Sequence, residues 1–271
     1  MENNNVSRVK MLVESAVMLA IATVLSFLKL IDLPYGGSVT IASMLPIIII
    51  SYRHGIRWGL LTGFVYGIIQ QLLGLNTLSW VSTWQSVVAV IMLDYILAFA
   101  MLGFGGLFRK NNSQPLGILW GALLVCVLRY ICHVISGATV WAGLSIPTNA
   151  ALIYSFGYNA TYMIPETIVT MIVGYYLGSI LDFRRDRVRP YRGSKGSVLS
   201  IFQWLAGLVL AAGLTADTVL VFSKLQNAES GDFDITGLTA VNWTVIGIIS
   251  AVAVAAAAIL FLLAARKKKA E

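Results

Sequence analysis

Arg129, His133, Gly137 and Trp141 follow one another at intervals of four in RYICHVISGATVW, inside an otherwise apolar run. On a helix that interval makes a slowly drifting stripe along one side. Asp94 and Tyr95 interrupt a second apolar run, SVVAVIMLDYILAFAMLGF, and Tyr154, Tyr158 and Asn159 open a third, YSFGYNATY. Carboxylate, imidazole, amide and aromatic rings are the groups that bind a small aromatic cation. The carboxylate supplies a counter-charge, and each ring face attracts a cation by about 1–2 kcal/mol where water is excluded. Imidazole and amide add directional hydrogen bonds. Read singly, each residue has a plainer use. Asp94 and Arg129 make an ion pair between helices, His133 a helix–helix hydrogen bond, Trp84 and Trp141 interface anchors, and Tyr154 and Asn159 polar packing groups.

The elements that carry these residues are membrane helices. The chain has 271 residues, 58% hydrophobic and 11% charged, with a mean hydropathy of +0.82. A soluble domain would be about a quarter charged. Apolar runs of about 20 residues recur throughout, each long enough to cross a hydrocarbon core of about 30 Å. The fold class is all-α and polytopic, and the continuous runs exclude an outer-membrane barrel with its short alternating segments. The first run is too long for a signal-peptide core and reads as a retained span. Helices are expected near 10–31, 39–52, 56–74, 84–107, 115–141, 150–182, 198–223 and 240–265. Pro46 is expected to kink the short second one, and Pro165 to bend the sixth. At about 1.5 Å per residue, Asp94, Arg129, His133 and Asn159 all fall about 12–18 Å from the outer helix ends. Trp80, Trp84, Trp141 and Tyr154 lie above them, as the aromatic upper wall of an outward-facing pocket.

Basic residues set the orientation. With both termini cytoplasmic, sixteen of the nineteen Lys and Arg fall on the inner side, in the segments around Arg8, Arg53, Arg109, Arg184–Lys195 and Arg266–Lys269. The net charge of +7 is then a topology signal, aided by anionic lipid, and needs no nucleic acid. Residues 183–197 read as a basic linker between a membrane core, 1–182, and a two-helix tail, 198–271. No site is read in the tail, whose helices carry Asp217 and the Ala-rich AVAVAAAAILFLLAA. Cys126 and Cys132 share one helix without metal-ligand spacing, so no metal or cofactor is expected. RGSKGS lacks the spacing of a phosphate-binding loop, so any ATP-driven work falls to another subunit.

Four stretches taken in order carry a resemblance: LPYGGSVTIASMLPIIIISYRHGIRWGLLTGFVYG, LDYILAFAMLGFGGLFRK, RYICHVISGATVW and YSFGYNATYMIP. Together they resemble the thiamine-specific substrate-binding (S) component of energy-coupling factor (ECF) vitamin transporters, over about residues 10–182. The resemblance implies a six-helix core that captures thiamine near the extracellular face of a prokaryotic cell membrane. It also implies a membrane T component and two ATPase subunits as partners, and no enzymatic activity. The binding residues it implies are Trp84, Asp94, Tyr95, His133, Gly137, Trp141, Tyr154 and Asn159, with Arg129 pairing the helix-four acid. Some members have tryptophan where this chain has Gly37, and Tyr35 is the candidate substitute in the lid. Ala16 and Ala20, a small-x-x-x-small pair on helix one, are the implied docking face for the T component. Three alternatives remain: another vitamin or thiamine precursor as ligand (hydroxymethylpyrimidine, riboflavin), an intramembrane enzyme using Asp94, His133 and Arg129, and a structural or sensory subunit.

Overall fold

The computed structural model describes residues 2–33, 36–143, 148–191, 201–225 and 235–270. The chain divides into two compact units, Met1–Ser194 and Lys195–Glu271. The first holds helices α1 (Glu2–Phe27), α2 (Leu45–His54), α3 (Ile56–Leu73), α4 (Trp84–Gly106), α5 (Gln114–Gly143) and α6 (Thr148–Ile180). Between α1 and α2 a two-stranded antiparallel hairpin pairs β1 (Lys29–Asp32) with β2 (Ser38–Thr40). The apolar pattern predicts helix over 29–31 and 39–40, where the structure has these strands.

α2 is the centre of this unit. Every residue from Leu45 to Tyr52 is buried, as a helix apolar on all sides requires. Pro46 stands in its first turn, where a missing N–H costs nothing. The expected kink is therefore absent: Pro46 starts the helix. Gly55, at φ 95°, ends it and bonds back to Ser51 O. Ten residues cover about 15 Å, half of a hydrocarbon core.

α3 carries Gly59, Gly63 and Gly67 on one buried face. A Cβ at Gly63 would run into the backbone of Phe99 and Ala100, and one at Gly67 would lie 2.7 Å from Tyr95 O. Small residues at intervals of four thus bring the α3 and α4 backbones into contact. α4 itself is irregular: α-helical at Trp84–Ala89, π-helical over Val90–Leu97, and tightened to a 3₁₀ helix over Met101–Gly106. The widened turn carries Asp94 and Tyr95, and such turns recur at functional sites.

Polar contacts tie the ends of α1, α2 and α6 remote from the hairpin. Arg53, whose side chain is 5% exposed, donates twice to Glu14, at 3.0 and 3.1 Å, and to the Phe183 carbonyl at 3.0 Å. His54 Nε2 lies 2.7 Å from the same carboxylate. Lys10 pairs with Asp186, and that hydrogen bond and charge hold the exposed Asp186 carboxyl below its usual range.

In the second unit α7 (Ile201–Leu225) packs on α8 (Trp243–Ala270). Ala206, Ala253 and Ala257 are buried, and a Cβ at Gly213 would meet that of Ala253 at 2.6 Å. Asp217, 8% exposed, accepts from Ser250 Oγ at 2.6 Å. Among the described residues, six helices are long and apolar enough to span a membrane, namely α1, α4, α5, α6, α7 and α8. Of the eight expected spans, α2 is too short. α3 has eighteen residues that include Arg57, Gln70 and Gln71, and falls short of the apolarity of the six.

Candidate functional site

A cavity of about 520 Å³ lies in the first unit, bounded by the β1–β2 hairpin, residues 74–81, α4, α5 and α6. That is within the range of about 300–1,000 Å³ usual for small-molecule sites. Asp94, Tyr95, Arg129, His133, Gly137 and Asn159 all line it.

The α4–α5 wall is an ordered polar set. His133 Nδ1 lies 2.6 Å from Asp94 Oδ1, and Ser136 Oγ donates to Asp94 Oδ2 at 2.7 Å. An ionised carboxylate only accepts, so Nδ1 carries the hydrogen of this bond. Both oxygens are thereby oriented while the charge stays on the cavity wall. Arg129 does not pair with Asp94, against expectation. Its guanidinium lies 4.4 Å over the Phe99 ring, and Nη1 contacts Met44 Sδ. The reason is register, since His133 and Ser136 lie one and two turns further along α5 and take both carboxylate oxygens.

On α6, Asn159, Tyr162, Met163 and Glu166 recur at intervals of three and four, and all line the cavity. Asn159 Nδ2 donates to Ser155 O at 2.8 Å and to His133 O at 3.2 Å, while Tyr162 OH donates to Asn159 Oδ1 at 2.5 Å. Asn159 therefore spends its amide on holding α5 and Tyr162 in place. Tyr162 stands edge-on to His133 with ring centroids 6.0 Å apart. Gly137 makes the α5–α6 approach possible: a Cβ there would strike Ser155 Oγ and come within 3.2 Å of Asn159 Nδ2. The space left by the missing side chain at Gly137 is thus taken up in part by α6.

Tyr95 OH lies 3.1 Å from Thr77 Oγ1 and 3.4 Å from Gly74 O, tying the 75–80 turn to α4. That turn brings Trp80 to the cavity. Trp84 is 73% exposed and does not line it. Thr83 caps α4, accepting from Ser86 N, and Trp84 begins that helix directed away from the cavity. Tyr154 also stands off; five residues before Asn159, it is turned by about 140° around α6. The Trp141 side chain and Tyr35 lie outside the described residues. Ala16 and Ala20 are exposed on α1, among exposed Leu12, Val13, Val17, Ile21 and Val24.

The sequence alone assigns no role to Tyr162, Phe99, Ser136, Thr40 or Glu166. The three-and-four spacing of Asn159, Tyr162 and Glu166 was the available signal. Among the described residues no three His, Cys, Asp or Glu side chains gather as a metal site.

Membrane-length helices and a polar cavity of small-molecule size define a multi-pass membrane protein of the binding or transport class. The chain belongs to the thiamine transporter protein family (Thia_YuaJ), whose model matches residues 12–182; it is a transporter-family protein and not an enzyme. It is 36% identical over 174 residues to the thiamine transporter ThiT of Bacillus subtilis (strain 168), a match covering 60% of this chain and 86% of that one. To ThiT of Lacticaseibacillus paracasei it is 24% identical over 179 residues, covering 60% and 83%. The solved structure of ThiT from Listeria monocytogenes superposes with a TM-score of 0.52 at 23% identity, covering 64% of this chain and 94% of that one. At that identity the likeness is one of fold. The second unit lies beyond the family match.

Proposed function

We propose that this chain is the substrate-binding S component of an ECF-type importer. It captures thiamine at the extracellular face for uptake driven by ATP hydrolysis in partner subunits. The observation that carries this reading is the Asp94 carboxylate, oriented on the cavity wall by His133 and Ser136. It supplies the counter-charge for the fixed positive charge of the thiazolium. Trp80, Tyr95, Tyr158 and Tyr162 supply aromatic surface for the two rings. The family and the names of its relatives favour thiamine over riboflavin or a bare pyrimidine.

In the same reading both termini are cytoplasmic, since most basic residues then lie inside. The exposed face of α1 with Ala16 and Ala20 receives the T component, and two ATPase subunits complete the importer. Residues 1–182 are the binding core, 183–197 a basic linker, and 198–271 a two-helix tail.

Tryptophan fluorescence of the detergent-purified protein, titrated with thiamine, tests the ligand. Saturable quenching at submicromolar concentration supports the reading. A flat trace from folded, monodisperse protein sinks it, and the same titration then runs across other vitamins.

A further inference from the structure

Besides Asp94, and Asp32 paired with Lys29, the cavity holds the Glu166 carboxylate, which the counter-ion role of Asp94 does not use. Glu166 is 3% exposed, and both its oxygens are engaged by one residue of the hairpin. Thr40 N donates to Oε2 at 2.5 Å, and Thr40 Oγ1 donates to Oε1 at 2.7 Å. The Thr40 hydroxyl also meets Ser43 Oγ at 2.8 Å. Thr40 ends β2, and two residues later Ala42 sits at φ 55°, a backbone region disfavoured for any residue with a side chain. The chain thus makes a strained bend between β2 and α2, and the Glu166 contact adjoins it. Two turns earlier on α6, Tyr158 OH accepts from Gly37 N at 3.1 Å. A Cβ on Gly37 would come within 2.8 Å of that hydroxyl and 2.7 Å of the Tyr162 ring. One face of α6 therefore grips the hairpin at its turn and at its base.

We infer that Glu166 is a positioning residue: through Thr40 it clamps the β1–β2 hairpin against α6 as a wall of the cavity, and so sets how long the ligand stays. This rests on the thiamine-capture reading for its kinetic consequence alone; the clamp stands on geometry. Burying a carboxylate is costly unless its lone pairs are met. Here they are met by the backbone and side chain of one residue, which gives both direction and strength. A glutamine at this position offers an oxygen to Thr40 N–H and an N–H to Thr40 Oγ1, so it preserves the clamp without the charge. An alanine removes it.

The test uses the full-length protein in detergent, with two readouts on Glu166→Ala, Glu166→Gln and Thr40→Val. The first is amide hydrogen exchange over residues 36–44 without ligand, and the second is the thiamine dissociation rate. The clamp predicts faster exchange and a dissociation rate raised about tenfold in Glu166→Ala, the scale of losing a hydrogen bond to a charged group. It predicts Glu166→Gln within about twofold of wild type, because its two bonds survive. Thr40→Val keeps the backbone bond and should fall between. It also carries the test where the alanine variant does not fold: exchange unchanged in Thr40→Val overturns the clamp. Equal losses in Glu166→Gln and Glu166→Ala overturn it as well, because the charge would then act on the ligand directly. If wild type binds no thiamine, the capture reading fails, and the exchange data alone decide the clamp.

Discussion

His133 Nδ1 and Asp94 Oδ1 lie 2.6 Å apart and join α5 to the π-helical turn of α4 on the cavity wall. Ser136, one turn along α5, takes the other oxygen of the same carboxylate. This pair of bonds aims a negative charge into a cavity that aromatic rings and other polar and charged side chains also line.

Removing either holder should therefore loosen the charge without removing it. His133→Ala and Ser136→Ala are each expected to weaken thiamine binding about tenfold, the scale of one charge-assisted hydrogen bond. The double variant should lose less than the product, because both act on one carboxylate. Isothermal titration of the three variants measures this.

Gly137 and Gly157 make a matched pair. Gly137→Ala drives a methyl group into Ser155 and Asn159, which should cost about 1–3 kcal/mol and lower the melting temperature in detergent. Gly157 on α6 has nothing within 4 Å of where a Cβ would stand. Gly157→Ala should gain about 0.5–1 kcal/mol through helix propensity. A thermal melt of both variants reads the difference in sign.

Two tryptophans four residues apart should behave oppositely. Trp80 lines the cavity and Trp84 is 73% exposed. Trp80→Ala is expected to weaken binding by about 1 kcal/mol or more, and Trp84→Ala to leave it within about twofold. Fluorescence quenching by thiamine should persist in Trp84→Phe and shrink in Trp80→Phe.

The second unit lies beyond the family match, and the residues that line the cavity belong to the first. A chain ending at residue 197 should therefore bind thiamine with wild-type affinity. A tenfold loss on truncation would show that the tail supports the site.

Much of the site was legible because membrane helices make polar residues conspicuous. Arg129, His133 and Gly137 share a face by their spacing of four, and Asp94 and Asn159 interrupt apolar runs at matching depth. What stayed hidden depends on register and direction. Opposite charge suggests that Arg129 and Asp94 pair, yet sequence does not say which turn of α5 faces Asp94; His133 and Ser136 do, and Arg129 stacks on Phe99 instead. The π turn over Val90–Leu97 has no signature, since its residues suit an ordinary apolar helix equally well. Trp84 and Trp80 flank a helix start at Thr83, and only that cap decides which ring meets the cavity. Tyr154 and Asn159 are five apart, an interval that separates rather than aligns them. The hairpin at 29–40 hides between two apolar runs and was absorbed into both. Glu166 gave no sign of its partner, because Thr40 lies 126 residues away along the chain.

The most direct test of the central claim is the affinity of wild type and Asp94→Asn for thiamine and for its isolated neutral pyrimidine. Asparagine keeps the shape and the accepting oxygen while removing the charge. If Asp94 is the counter-ion, thiamine affinity falls about tenfold or more, on the scale of a charge-assisted contact, while pyrimidine affinity changes by less than about threefold. Equal changes for both ligands, or no change for thiamine, would contradict the account.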